Sequence, residues 1–310
     1  MWSLVKKILA LFAKAKQPAA ALPGTRLARK AARHCIKSGL AHIDPDGEFE
    51  LALADFTEAI RLDPNCVEAY VERGRLYAGV EFQEYDQAIA DFTEAIRLDP
   101  TRAEIFIDRG NAHAEKEDYE PAIADFTKAI QLEPESGADS YYAYSYLGNA
   151  CFAKKDYDRS IANFTIAIRL EPQVPTTYIG RGDAHKAKKD YERAIADFSE
   201  AIRRGGQVTV AHIGYLRRGN LYFEQRDYDR AIADFTKGIR LYPENSDAYR
   251  CRAKVYLEKG EHRNAIADYT EAIRLHESIA EDYLGRAKAY RALGEEGHAV
   301  SDERRARELR

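Results

Sequence analysis

One thirteen-residue phrase recurs down almost the whole chain. It reads A-I-A-D-F-T-E-A-I-R-L-D-P at residues 88–100, A-L-A-D-F-T-E-A-I-R-L-D-P from Ala52 and A-I-A-D-F-T-K-A-I-Q-L-E-P from Ala122. Variants open at Ser160, Ala194, Ala231 and Ala265, with a degraded copy at Ala299. The central rings, Phe56, Phe92, Phe126, Phe164, Phe198, Phe235 and Tyr269, follow one another at steps of 36, 34, 38, 34, 37 and 34 residues. A fixed period of this length means a stacked array in which each unit buries its apolar face against its neighbours. Such a chain builds no single core around one deep pocket, which sets aside most enzyme architectures.

Ala88, Ile89, Phe92, Ala95 and Ile96 fall on one stripe of a helix. Pro100 stops it, because the residue before a proline is pushed from helical angles. A second pattern follows, as in A-Y-V-E-R-G-R-L-Y from Ala69 and I-F-I-D-R-G-N-A-H from Ile105. It places an aromatic, a small residue four positions on, and an aromatic or His three later on one helix face. The small residue (Gly74, Gly110, Gly148, Gly182, Gly219, Ala253, Ala287) lets two backbones approach. Its helix-propensity cost, about 1 kcal/mol for Gly, must be returned by packing. Asn65 with Glu68, Thr101 with Glu104 and Ser278 with Glu281 have capping-box spacing and predict where first helices begin.

Paired helices every 34 residues, with Tyr, Gly, Tyr, Ala, Phe, Ala and Pro at offsets 4, 8, 11, 20, 24, 27 and 32, resemble the tetratricopeptide repeat family. The resemblance implies an all-α fold, an α-solenoid forming a right-handed superhelix. It covers residues 25–310 as eight units, with residues 299–310 as a C-terminal capping helix and the first helix of the first unit within 25–40. The chain departs from the family in two places. The Trp usual at offset 4 is Tyr or Phe, and the Leu usual at offset 7 is mostly Arg: Arg73, Arg109, Arg181, Arg218, Arg252, Arg286. Offset 23 is nearly always acidic: Asp55, Asp91, Asp125, Asp197, Asp234, Asp268, Asp302. These predict a ladder of ion pairs between neighbouring helices. The unit with Leu147 has Asn163 as well, the joint change that pairing requires. Extra residues around Gly79–Tyr85, Glu135–Ser140 and Gln207–Ala211 read as tolerated loops, with contact to a partner as the alternative.

No catalytic or metal constellation stands out. Cys35, Cys66, Cys151 and Cys251 are scattered and read as buried thiols. His113 and His185 occupy the aromatic offset 11, two units apart, and read as core histidines. No phosphate-cradling G-x-x-x-x-G-K-[ST] loop occurs. No cofactor, metal, small-molecule substrate or activity of its own is expected.

What remains is surface. The resemblance implies a protein-interaction scaffold whose first helices line a concave groove for a peptide segment or partner protein. Offsets 2, 5, 6, 9, 12 and 13 should face it. They supply amides and an acid (Asn111, Asn149, Asn220, Asp183), apolar and aromatic residues (Tyr142, Tyr146, Leu216, Phe223) and cations (Arg217, Arg250, Lys254). Amides there suit a ligand's main chain, and exposed aromatics mark interaction sites. An apolar anchor is expected on units four to six, with acidic ligand groups toward the cations. The clamp by which chaperone-binding members hold a C-terminal carboxylate is not matched, since offset 5 reads Val71, Ile107, Ser145, Ile179, Leu216, Arg250 and Leu284.

Charge divides the chain. The first 43 residues contain Lys6, Lys7, Lys14, Lys16, Arg26, Arg29, Lys30, Arg33 and Lys37 and no acid, while all 51 acidic residues follow. An acidic array is a poor nucleic-acid ligand. Residues 1–24 form a basic amphipathic tail in which Leu4, Val5, Ile8, Leu11 and Phe12 of the 2–16 segment share a face. Three readings stay open: folding back on the first unit or into the groove, peripheral contact with an anionic membrane as the anchor of an adaptor, or organelle targeting. The array itself is expected in the cytoplasm.

Overall fold

The computed structural model describes residues 25–43, 48–134, 138–206 and 208–309. The tail with its 2–16 segment, the loop Asp44–Gly47, residues 135–137 of the second insertion and Gln207 of the third lie outside them. Among the described residues the chain is an all-α solenoid of sixteen helices without strands. It divides into two compact units, residues 1–154 and 155–310. The first holds α1 (Arg26–Ile43), α2 (Phe49–Leu62), α3 (Val67–Ala78), α4 (Tyr85–Leu98), α5 (Ala103–Glu115), α6 (Tyr119–Leu132) and α7 (Ala138–Ala153). The second holds α8 (Tyr157–Leu170), α9 (Pro175–Ala187), α10 (Tyr191–Arg204), α11 (Val208–Glu224), α12 (Tyr228–Leu241), α13 (Ser246–Glu258), α14 (His262–Leu275), α15 (Ala280–Ala292) and α16 (Glu296–Glu308). The first helix therefore runs past 40 to Ile43, and the capping helix begins three residues before Ala299.

Prolines act as expected. α2 and α4 end one residue short of Asp63 and Asp99, which precede Pro64 and Pro100 and adopt extended angles (φ −136° and −140°). The turn inside a hairpin is a Schellman motif. The amide of Asp118 reaches the His113 carbonyl, that of Asp190 the His185 carbonyl and that of Asp227 the Tyr222 carbonyl, at 2.8–2.9 Å. The residue before each acid takes positive φ: Glu117 (62°), Lys189 (63°) and Arg226 (60°), with Gly260 and Gly294 in the later copies. Asp156, Asp190 and Asp227 then cap the second helices through the amides of Arg159, Arg193 and Arg230.

The seven central rings are all within 2% of complete burial. A methyl added at Gly74 would stand 2.7 Å from the Phe92 ring, one at Gly110 2.6 Å from Phe126, and one at Gly182 2.7 Å from Phe198. Glycine is required there by the ring, not by backbone angles. Where the ring is the larger Tyr269, its own hairpin offers Ala253 and the tyrosine leans on Gly285 of α15 instead.

The ion-pair ladder has six rungs among the described residues: Arg73–Asp91, Arg109–Asp125, Arg181–Asp197, Arg218–Asp234, Arg252–Asp268 and Arg286–Asp302. Each Arg donates Nε to one carboxylate oxygen and Nη2 to the other, at 2.7–3.0 Å. Its Nη1 donates to a hydroxyl of the preceding hairpin (Thr57, Thr93, Thr165, Ser199, Thr236, Thr270) at 2.7–3.2 Å. The same guanidinium stands 5.7–6.0 Å from the offset-4 ring. One arginine thus ties three successive helices, and the Arg at offset 7 goes with the Tyr or Phe at offset 4. Leu147 is buried among apolar neighbours, and Asn163 donates to the Arg159 carbonyl of its own helix.

Two expectations change. The three capping boxes do not form. The N-caps of α3, α5 and α15 are Cys66, Arg102 and Ile279, one residue later than expected, and none caps through its side chain. Instead Asp63 and Asp99 accept the amides of Asn65 and Thr101, which turns those residues away from the helix. Only in α13 does a capping residue, Asn245, occupy that offset, accepting from the Ala248 amide at 3.0 Å. The later insertions are not simply loops. α7 and α11 are 16 and 17 residues long against 13 for α5 and α9, so the added residues extend the first helix by about one turn and keep its faces in register.

Candidate functional site

Each unit presents its own candidate surface. In the first, α3, α5 and α7 and the turn after α3 enclose a cleft of ≈ 750 Å³. Asn111, Tyr146 and Asn149 line it, together with Arg75, Asp108 and Glu115. Arg75 donates Nε to Asp108 at 2.8 Å and Nη1 to Glu72 at 2.9 Å. Burial pushes the Asp108 carboxyl up, while Arg75 draws it back.

An aromatic run leads from this cleft to the surface. Tyr146 lies 5.8 Å from the buried Phe126 ring and stacks on Tyr142 at 6.0 Å and 21°. Tyr142 meets Tyr141 edge-on at 5.1 Å. Burial pushes the Tyr146 hydroxyl up, and the neighbouring Asn111 amide draws it back in part. Tyr142 is 45% exposed, whereas Tyr146 is half-buried, so only the first is the exposed aromatic expected. Tyr142 is not among the residues lining the cleft.

One residue escaped the sequence reading, and one insertion is placed for the second of its two expected roles. Arg75 shares offset 9 with Asn111 and Asn149, which was the available signal. The first insertion is a wall: Gly79, Val80 and Gln83 line the cleft, Val80 is 85% exposed, and Phe82 packs edge-on against Tyr77 at 6.5 Å. Its composition did not show which surface it would border, because that depends on where the turn sits beside α5.

In the second unit Leu216 and Phe223 pack against the cluster of Tyr222, Ala231, Phe235 and Val255. Phe223 is half-buried beside Tyr228 (6.0 Å), which corrects its expected exposure. Asp183 faces Arg217 at 3.6 Å, and its carboxyl is pushed up by burial against the pull of Arg217 and Lys186. Burial pushes the Cys251 thiol up, with Lys254 and the Asn220 amide drawing it back in part. The three cations are not equivalent. Arg250 donates to both oxygens of the fully buried Asp282, at 2.5 and 2.9 Å, and to Asp247, so it is committed inside the stack. Arg217 is 52% exposed, and Lys254 is exposed with no ion pair among the described residues.

His185 is buried between Asp190 and Asp197, and burial pushes its imidazole down, as it does for His113. None of the four cysteines is in a disulfide; Cys151 is buried as expected, while Cys35, Cys66 and Cys251 are only half-buried. Among the described residues no group of three or more His, Cys, Asp or Glu side chains gathers as metal ligands, and no helix is long and apolar enough to cross a membrane.

The comparisons with known proteins agree with this architecture. A tetratricopeptide repeat protein from Parabacteroides merdae superimposes with a TM-score of 0.63 at 18% identity, over 84% of this chain and 99% of that one. Pseudomonas aeruginosa pilF gives 0.59 at 22% identity over 74% and 100%. The Cut9–Hcn1 hetero-tetramer of the APC/C gives 0.59 at 17% over 85% of this chain and 54% of that one. No curated protein matches the sequence. The family described as tetratricopeptide repeat matches residues 46–103, 147–208, 216–278 and 251–309, and a second model of that description matches 103–136. These matches span well over half of the chain, which belongs to the tetratricopeptide repeat family.

Proposed function

We propose that this protein is an interaction scaffold that binds a peptide segment or a partner protein on its first-helix surfaces. The observation that carries the reading is the cleft of ≈ 750 Å³, with amides at Asn111 and Asn149 and the Tyr146–Tyr142 stack nearby. An apolar ligand side chain enters against Tyr146, and the amides take up ligand main-chain groups. In the second unit, Leu216 and Phe223 offer apolar contact, Asn220 suits a ligand's main chain, and Arg217, held by Asp183, and Lys254 face the acidic groups of a ligand. Arg250 supports that surface from beneath. The similarity to Cut9–Hcn1, a hetero-tetramer, supports a protein partner. The work of the array in this reading is binding alone, in the cytoplasm, with no substrate turned over.

Selection from a displayed peptide library tests it. Selected peptides should carry an aromatic or aliphatic anchor, and Asn149→Ala and Tyr142→Ala, both at exposed positions, should each weaken them roughly tenfold, the effect of about 1.4 kcal/mol. A library that yields no binder, or binders indifferent to Asn149, Tyr142 and Lys254, overturns the reading.

A further inference from the structure

We propose that the outward face of α1 is a docking surface for an anionic lipid bilayer. The helix contains Arg26, Arg29, Lys30, Arg33 and Lys37 and no acid. At 100° per residue these five positions fall within an arc of roughly 100°. The opposite side is the one buried against the first hairpin, through Ala28, Ala32 and Gly39. All five cations are exposed, and none has an ion-pair or side-chain hydrogen-bond partner among the described residues. Elsewhere four arginines at one repeat position, Arg61, Arg97, Arg203 and Arg274, each hold a glutamate three residues back. A stripe of five cations with no partner among the described residues repels itself, and an external anion relieves it.

The apolar residues around the stripe point to lipid. Leu40 lies on it at 45% exposure and Leu27 beside it at 64%. Residues 1–24, which lead into α1, hold Lys6, Lys7, Lys14 and Lys16, no acid, and Trp2, Leu4, Val5, Ile8, Leu11 and Phe12. A polybasic patch joined to an apolar, lysine-rich segment is the two-signal arrangement that holds a protein on a charged headgroup layer. A nucleic acid would use the cations and leave those apolar side chains without a role, and the acidic remainder of the chain would repel its backbone. This surface is separate from the candidate cleft, so the two readings fail independently.

The test is co-sedimentation of the full chain with vesicles of phosphatidylcholine alone or mixed with phosphatidylserine. Binding is expected to the mixed vesicles and to weaken as salt is raised. Each cation near such a surface strengthens binding roughly fivefold, so R29Q/K30Q/R33Q should weaken it roughly 100-fold. R29K/R33K should bind as the parent does. Circular dichroism of both variants should match the parent, because the substituted side chains are exposed. Equal binding to neutral vesicles, full binding by the triple variant, or binding to a random DNA duplex in preference to phosphatidylserine vesicles overturns the proposal. The salt series on the parent chain decides the electrostatic part without any substitution.

Discussion

Replacing Arg109 by Leu breaks one rung of the ladder. It removes two hydrogen bonds to Asp125, of 2.8 and 2.7 Å, and one to Thr93, of 3.1 Å. The Asp125 carboxylate is left 5% exposed inside the α5–α6 hairpin with no counter-charge. Removing one partner of a buried ion pair costs about 3–5 kcal/mol. The Arg109 side chain is 20% exposed, and water screens part of the interaction, which sets the expected loss near about 3 kcal/mol. The chain contains its own rescue. Leu147 and Asn163 stand at the same two offsets and form no such pair, so R109L/D125N should be less destabilised than the sum of its single substitutions, by about 1–3 kcal/mol. Urea unfolding followed by circular dichroism measures the global effect. Amide exchange in α5 and α6 measures the local one, since a repeat array need not unfold as a single unit. If R109L lies within about 0.5 kcal/mol of the parent, or the cycle is additive within that margin, the rungs are surface decoration and the argument fails.

Other expectations follow from the same geometry. Gly110→Ala gains about 1 kcal/mol of helix propensity but drives a methyl into the Phe126 ring, so a net loss of about 1–2 kcal/mol is expected in thermal unfolding. G110A/F126L should recover part of that loss. At the hairpin turns the signs oppose. Lys189→Gly, at φ +63°, should stabilise by about 0.5–1 kcal/mol, and Gly260→Ala, at φ +76°, should destabilise by at least as much. Equal melting temperatures for the two would refute the strain argument. Burial lowers the folded imidazole pKa of His113 and His185. The unfolded chain therefore takes up protons first, and stability is present above about pH 6.5 and is lost as pH falls through the folded values. His185→Tyr, matching Tyr222 and Tyr256 at the same offset, should flatten the stability profile between neutral and mildly acid pH. An unchanged slope would show that the imidazole is not held neutral.

Much of this protein was legible in one dimension because its contacts recur at one spacing. The period placed Phe92, Phe126 and Phe198 in equivalent seats, and the joint change at Leu147 and Asn163 announced the Arg–Asp rungs. Pro64 and Pro100 marked helix ends through a restriction on the residue before them, which acts within the local chain. The failures share the opposite cause. Whether Asn65 or Thr101 caps a helix depended on competition from the Asp63 and Asp99 carboxylates across the turn. Whether added residues form a loop or another turn of helix depended on a neighbour to pack against, as in α7 and α11. The third bond of each rung, to Thr57 or Thr93, needed a helix from the preceding hairpin. The exposure of surface residues was least readable: Phe223 sank into its cluster and Arg250 was drawn to Asp282, while the five cations of α1 stayed in water. A side chain's type and offset are properties of the chain, but what covers or neutralises it is set by elements that meet only in the folded stack.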